Sequence, residues 1–311
     1  MKFLFFILML SPFFVHGQLH FADSLIQKSS LQETVSFLSA DNLKGRFTGS
    51  DGATKAATYI VNKFTELGLI PLKNKLSFFD SFPAENYNKK MIGVNVIGSI
   101  PSSVANDTMI IFSAHYDHIG QADDLTTNKD YTKKDDIYNG ANDNATGVAA
   151  MLELAKYYAA KKHNRYNLVF IGFAGEELGM VGSTHLADSL NPKLIKAVIN
   201  LEMLGRPAYN NCYIISLGNN KVRNMLNDHL KKSGLAIKNF FGYDPYYDED
   251  LAHRSDHYPF AVNIKNAFTI MASSPTDRYY HRVDDTFETI DFDFLLKATR
   301  LIAIATEEFT R

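Results

Sequence analysis

Only one cysteine, Cys212, occurs in the 311 residues, so no disulfide can form within the chain. It adjoins the apolar run Tyr213 to Leu217 and reads as a buried core thiol rather than a nucleophile or a bridge partner. Beyond the first residues no apolar stretch approaches the length that crosses a bilayer. Repeats and low-complexity tracts are missing as well. Neither charge dominates: 32 Lys and Arg stand against 34 Asp and Glu, a net charge of −2 that argues against a nucleic-acid partner. Two hydrolase signatures are also absent. There is no His-Glu-x-x-His helix and no Gly-x-Ser-x-Gly elbow.

What is there begins with Lys2 and an almost unbroken apolar run from Phe3 to Val15, followed by the small Gly17. That is the pattern of an export signal, with cleavage expected before Gln18. Residues 1–17 are set aside as a signal peptide and residues 18–311 are read as a single domain, secreted or periplasmic. No lipid-accepting cysteine stands near the cleavage point, so no membrane anchor is implied.

Helical spacing of Leu25, Leu31, Val35 and Leu38 predicts an opening helix over 24–39, and a second is expected over 53–67, ending at Gly68. Between them Leu43 to Gly52 is a loop by its glycines. Arg46 there is a solvated charge or a carboxylate's partner. From residue 91 onward apolar runs alternate with helical stretches. Strands are expected at 91–97, 109–114, 168–174, 197–201, 213–217 and 267–271, and helices at 147–160, 179–189, 221–232 and 292–309. The alternation predicts an α/β three-layer sandwich with a mixed, largely parallel central sheet. The polar insertion 121–138 reads as an exposed loop, and the tyrosines of the 240–250 loop (Tyr243, Tyr246, Tyr247) are either pocket walls or surface.

Metal-ligand residue types follow these strands directly. Met109 to Ala114 leads into His115-Tyr116-Asp117-His118, Leu168 to Ala174 into Glu176-Glu177, and Ala197 to Leu201 into Glu202. The last strand leads into a loop that reaches His281, and Asp143 enters where a helix begins. Ligands bind outside the carboxyl ends of strands in open α/β sheets, so residues remote in sequence converge on one rim. Gly175 and Gly179 permit the turn that lets Glu176 and Glu177 serve one site.

These motifs resemble the co-catalytic di-zinc aminopeptidase family, which also contains glutamate carboxypeptidases and glutaminyl cyclases. The resemblance covers nearly all of the chain after the signal. It rests on Leu43 to Ser50, Ala114-His115-Tyr116-Asp117, Gly140 through Gly147, Gly175-Glu176-Glu177-Leu178-Gly179, Asn200 to Gly205, Ser255-Asp256-His257, and Tyr280-His281 with Asp285-Thr286. It implies a zinc-exopeptidase-like fold and two zinc ions held by His115, Asp143, Glu177, Glu202 and His281. Glu176 is implied as general base and Asp117 as the carboxylate that orients the ring of His115. Three carboxylates and a hydroxide would balance the four positive charges, and imidazole and carboxylate ligands suit zinc. The family more often carries Asp where this chain has Glu202, which leaves the filling of that metal position open.

His257 is read as a substrate contact or a structural hydrogen bond, and Tyr280 as a substrate contact. His118 and His253 are set aside as nearby, and His163, His185 and His229 are assigned to the surface. The resemblance implies an aminopeptidase acting on peptides, with a carboxypeptidase or dipeptidase as alternatives. Arg206, Arg254, Arg278 and Arg282 are then the candidates to hold a substrate carboxylate. A glutaminyl cyclase is a further alternative, against which the absence of any Trp weighs. A peptide-binding protein that has lost catalysis is the alternative from another class; the presence of Glu176 speaks against it. Oligomeric state is left open.

Overall fold

The computed structural model describes residues 21–124, 135–218, 220–235, 237–273 and 276–310. The expected signal peptide and residues 125–134 of the insertion lie outside them. In chain order the strands are β1 (Ile70–Pro71), β2 (Phe79–Asn86), β3 (Lys89–Ile100), β4 (Met109–His115), β5 (Asn167–Phe173), β6 (Ile195–Glu202), β7 (Cys212–Ile215), β8 (Phe241–Tyr243) and β9 (Ala267–Met271). The helices are α1 (Lys28–Leu38), α2 (Asp51–Glu66), α3 (Thr146–Lys161), α4 (Val181–Ser189), α5 (Asn220–Lys232), α6 (Tyr258–Ala261) and α7 (Phe292–Thr310).

The strands form one mixed sheet in the order β1-β3-β5-β4-β6-β9-β7-β8, with β2 paired alongside β3. Its centre, β5-β4-β6-β9, is parallel. The flanks reverse: β3 runs antiparallel to β5, and β7 antiparallel to β9. All four central strands therefore end at the same rim. Alternate residues of each central strand divide between two cores, which is why their sequences are unbroken apolar runs. Leu168 and Phe170 of β5 join one cluster with α1, α2, α3, α5 and α7, while Val169, Ile171 and Phe173 join the other, under α4 and α6. Phe112 and Phe170 stack across adjacent strands with ring centroids 5.3 Å apart, a pairing worth about 0.5–1.5 kcal/mol beyond area burial.

Strand β2, which forms a hairpin with the expected β3, and the short β1 and β8 were not expected. Strand β2 alternates exposed and buried positions and carries Pro83, whose missing N–H confines it to the sheet's edge. Three surface assignments are corrected. His229 is buried, its Nδ1 2.8 Å from Glu308 Oε2. Tyr138, at the end of the insertion, is fully buried against Ile119 and Val283. Arg46 is enclosed entirely and donates to four main-chain carbonyls: Tyr116 at 2.8 Å, Asn139 at 2.6 Å, Gly140 at 3.0 Å, and Leu38. Burial pulls its pKa down to about 10, against the upward pull of Asp285 and Asp117. The guanidinium thus ties the early loop to the exit of β4 and to the segment that carries Asp143.

Candidate metal centre

His115 closes β4, and Glu202 closes β6 on the neighbouring strand. Beyond β5 the chain turns at Gly175, whose φ of +75° lies in the region that favours glycine. The turn is closed by Gly179 N–H and Met180 N–H donating to Glu176 O at 2.8 and 2.9 Å, and Val181 N–H donating to Gly175 O at 2.8 Å. Glu176 and Glu177 are carried on that loop. Asp143 stands on an irregular turn (Ala141–Ala145) ahead of α3. Two anchors hold this turn. Asp285 accepts from Asn142 N–H at 2.9 Å and Asp143 N–H at 3.1 Å, and is itself paired with Arg206 at 2.6 Å. Asn144 bridges to the end of β6, donating to Leu201 O at 3.0 Å and accepting from Met203 N–H at 3.1 Å. Helix α3 can come this close only because residue 147 is glycine. A Cβ there would lie 2.2 Å from Asn144 Oδ1 and 2.4 Å from Leu201 O.

The five expected ligands and Glu176 come together at the rim. Asp143 faces two histidines with its two oxygens: Oδ1 is 3.3 Å from His115 Nε2 and Oδ2 is 3.3 Å from His281 Nε2. Two donor groups result, His115 with Glu176 and Glu202, and Asp143 with Glu177, His281 and His118. Glu177 Oε2 lies 3.1 Å from His281 Nε2, and Glu176 Oε2 lies 4.0 Å from His115 Nε2. Glu202 Oε2 accepts from Asn200 Nδ2 at 3.2 Å, two residues back on the same face of β6.

His118 was set aside in sequence and proves to be part of the centre. It is fully buried, with Nδ1 2.8 Å from Glu177 Oε1, so it holds the carboxylate oxygen that His281 does not face. Its place in His115-Tyr116-Asp117-His118 was the available signal, but only the bend after β4 shows where it points. Asp117 lies beside the ring of His115 and makes further contacts. His115 Nδ1 is 3.2 Å from the Asp117 carbonyl and 3.7 Å from its carboxylate. The carboxylate also accepts from Thr48 Oγ1 at 2.7 Å, Gly175 N–H at 2.8 Å and Glu176 N–H at 3.4 Å. Asp117 therefore braces the turn that presents Glu176.

Of the two roles left open for His257, the structure shows the hydrogen bond: the ring is fully buried with Nδ1 2.8 Å from Thr269 Oγ1. Tyr280 stacks on His281 with centroids 3.9 Å apart. It packs on an apolar cluster of Met203, Tyr213, Ile215, Leu251 and Met271, beside the two carboxylate-rich groups. Tyr246 joins that cluster, whereas Tyr243 and Tyr247 line a separate cavity of about 250 Å³ with Arg223, Asp244 and Asp250.

The electrostatics follow from enclosing this much charge. Burial raises the pKa of Glu176, the His115 charge opposes, and Glu177, Glu202 and Asp256 add to the rise, leaving it well above the carboxylate range. Burial likewise lifts Glu202, to about 8, although His115 works against it. Glu177 goes the other way, to about 2, because the His281 charge and the hydrogen bonds from His118 and His281 outweigh burial and Asp143. Burial works against a charge on His281, yet Glu177 and Asp143 lift it to about 11. Among the described residues no Lys or Arg lies within ion-pair distance of Asp143, Glu176, Glu177 or Glu202. Enclosed carboxylates that meet histidine Nε2 atoms rather than a Lys or Arg among the described residues, with no cysteine nearby, fit divalent zinc as a donor set.

A mixed sheet covered by helices on both faces is the fold class of solved zinc-dependent exopeptidases. The aminopeptidase from Aneurinibacillus sp. strain AM-1 matches with a TM-score of 0.70 and 17% identity, covering 94% of this chain and 96% of that one. The Porphyromonas gingivalis glutaminyl cyclase matches with a TM-score of 0.68 and 18% identity, covering 91% of this chain and 99% of that one. At such identities the likeness is one of fold. The profile of peptidase family M28 matches residues 95–306, and the chain belongs to that family. Aminopeptidase YwaD of Bacillus subtilis (strain 168) is 27% identical over 224 residues, 69% of this chain and 44% of YwaD. The chain spans about half the length of the curated relatives it matches.

Proposed function

We propose that this chain is an exported zinc aminopeptidase that removes N-terminal residues from peptides. In this reading His115, Asp143 and Glu202 would hold one ion and Asp143, Glu177 and His281 a second. The observation that carries it is Asp143, whose two oxygens each stand 3.3 Å from a different histidine Nε2, as a carboxylate shared between two positions must. When bound, such ions polarise the scissile carbonyl and bring the pKa of water towards about 7. Glu176 would then take a proton from the attacking water and return it to the leaving amine, a route that requires no covalent intermediate. Asp117 keeps Glu176 in place through the Gly175 and Glu176 amides.

The test is hydrolysis of several aminoacyl amides before and after chelation, in the natural protein and in Glu176→Gln. Activity that survives metal removal, or an undiminished rate in the variant, refutes the mechanism. An N-terminal glutaminyl peptide separates peptidase from cyclase: ammonia released without chain cleavage assigns the cyclase. Export rests on the apolar run at residues 3–15 and is tested by N-terminal sequencing of exported protein, expected to begin at Gln18.

A further inference from the structure

Four arginines were candidates to hold a carboxylate; Arg282 is exposed beside Arg278, Tyr279 and Asp284 at a surface cavity, and the contacts of the other three separate them. Arg206 is engaged by Asp277 at 2.5 Å and Asp285 at 2.6 Å. Arg278 lies over the Tyr279 ring, 4.5 Å from its centroid, and donates to the hydroxyl of that residue. Arg254 differs. It is exposed, and its acceptors are the Glu249 carbonyl at 3.2 Å and the Tyr280 hydroxyl at 3.5 Å. The adjacent Asp250 carboxylate is held by His253 Nδ1 at 2.5 Å. Tyr280 in turn stacks on His281, so the Arg254 guanidinium stands one aromatic ring from the metal centre, with most of its donors uncommitted.

We propose that Arg254 is a specificity-determining residue that receives a carboxylate of the substrate, from an acidic first side chain or from the free C-terminus of a dipeptide. The proposal rests on the aminopeptidase reading. A planar guanidinium matches a carboxylate in a way that a lysine does not. The experiment measures kcat/KM of the zinc-loaded protein, Arg254→Ala and Arg254→Lys on four compounds: leucine amide, glutamic acid α-amide, Leu-Ala and Leu-Ala-amide. In Arg254→Ala the ratio for a carboxylate-bearing compound over its neutral counterpart should fall about 10- to 100-fold, with partial recovery in Arg254→Lys. A fall confined to the glutamic acid pair assigns the side chain, and one confined to Leu-Ala assigns the C-terminus. Unchanged ratios overturn the proposal. If the natural protein cleaves none of the four, the aminopeptidase reading has failed separately. Calorimetric binding of the same compounds then decides: a carboxylate-dependent loss of affinity in Arg254→Ala sustains the proposal, and equal or absent binding overturns it.

Discussion

Replacing Asp117 with Asn asks whether its carboxylate braces the Glu176 turn or tunes His115. The side chain accepts from Thr48 Oγ1 at 2.7 Å, Gly175 N–H at 2.8 Å and, more weakly, Glu176 N–H at 3.4 Å. An asparagine oxygen can take the place of Oδ2 and keep the first two, but as a neutral acceptor. Hydrogen bonds to a charged group contribute about 1.5–3 kcal/mol and neutral ones about 0.5–1.5, so each loses roughly 1 kcal/mol or somewhat more. The new Nδ2 then faces the Glu176 N–H, donor against donor, for about 1 kcal/mol more. Urea unfolding of the zinc-free protein should show a loss of about 3 kcal/mol. Turnover of the zinc-loaded protein should fall about 10- to 100-fold as Glu176 loses its placement. Zinc affinity, followed by calorimetry, should stay within a few-fold, because His115 Nδ1 is nearer the Asp117 carbonyl, at 3.2 Å, which the substitution keeps. The opposite pattern, unchanged stability with zinc bound about 10- to 100-fold more weakly, would refute the reasoning and return the carboxylate to His115.

Glu176→Gln should lower turnover about 10²- to 10⁴-fold while zinc content by metal analysis is unchanged; loss of metal would make Glu176 a ligand. Glu177→Gln should instead weaken zinc in chelator competition, since its two oxygens face His281 at 3.1 Å and His118 at 2.8 Å. Arg46→Met takes the guanidinium from four buried carbonyls, of which Gly140 O keeps the Ala145 N–H at 3.3 Å, and should cost about 3 kcal/mol or more in urea unfolding, and a loss below about 1 kcal/mol would mean that water replaces the guanidinium. His257 is pulled down to about 3, first by burial and then by the His253 charge, so between about pH 6.5 and that value the unfolded chain binds the extra proton. Its contribution to stability is therefore complete above about pH 6.5 and declines on acidification, by a few kcal/mol at most, and the difference between the natural protein and His257→Gln should narrow as the pH falls from about 7 to 4. A difference that does not vary with pH would show that the ring is hydrated.

Sequence alone was enough for the parallel centre of the sheet and for the residues that end its strands. A strand buried on both faces has to be apolar without interruption, so Met109 to Ala114, Leu168 to Ala174 and Ala267 to Met271 announce themselves, and the charges that follow must lie outside the sheet. Cys212 was readable for the same reason, as a small apolar residue inside such a run, and it is fully buried. Strand β2 was not, because an edge strand faces solvent on alternate positions and tolerates Pro83. Neither were Arg46, His118 and the further contacts of Asp117. A charged or polar side chain carries no mark of its acceptors, and these lie far along the chain: Arg46 meets Asn139 and Gly140, His118 meets Glu177, and Asp117 meets Thr48 and Gly175. Local pattern reports whether a segment can be buried. Which polar group answers which is decided only when the packed sheet brings its loops to one rim, where every enclosed charge must find a partner.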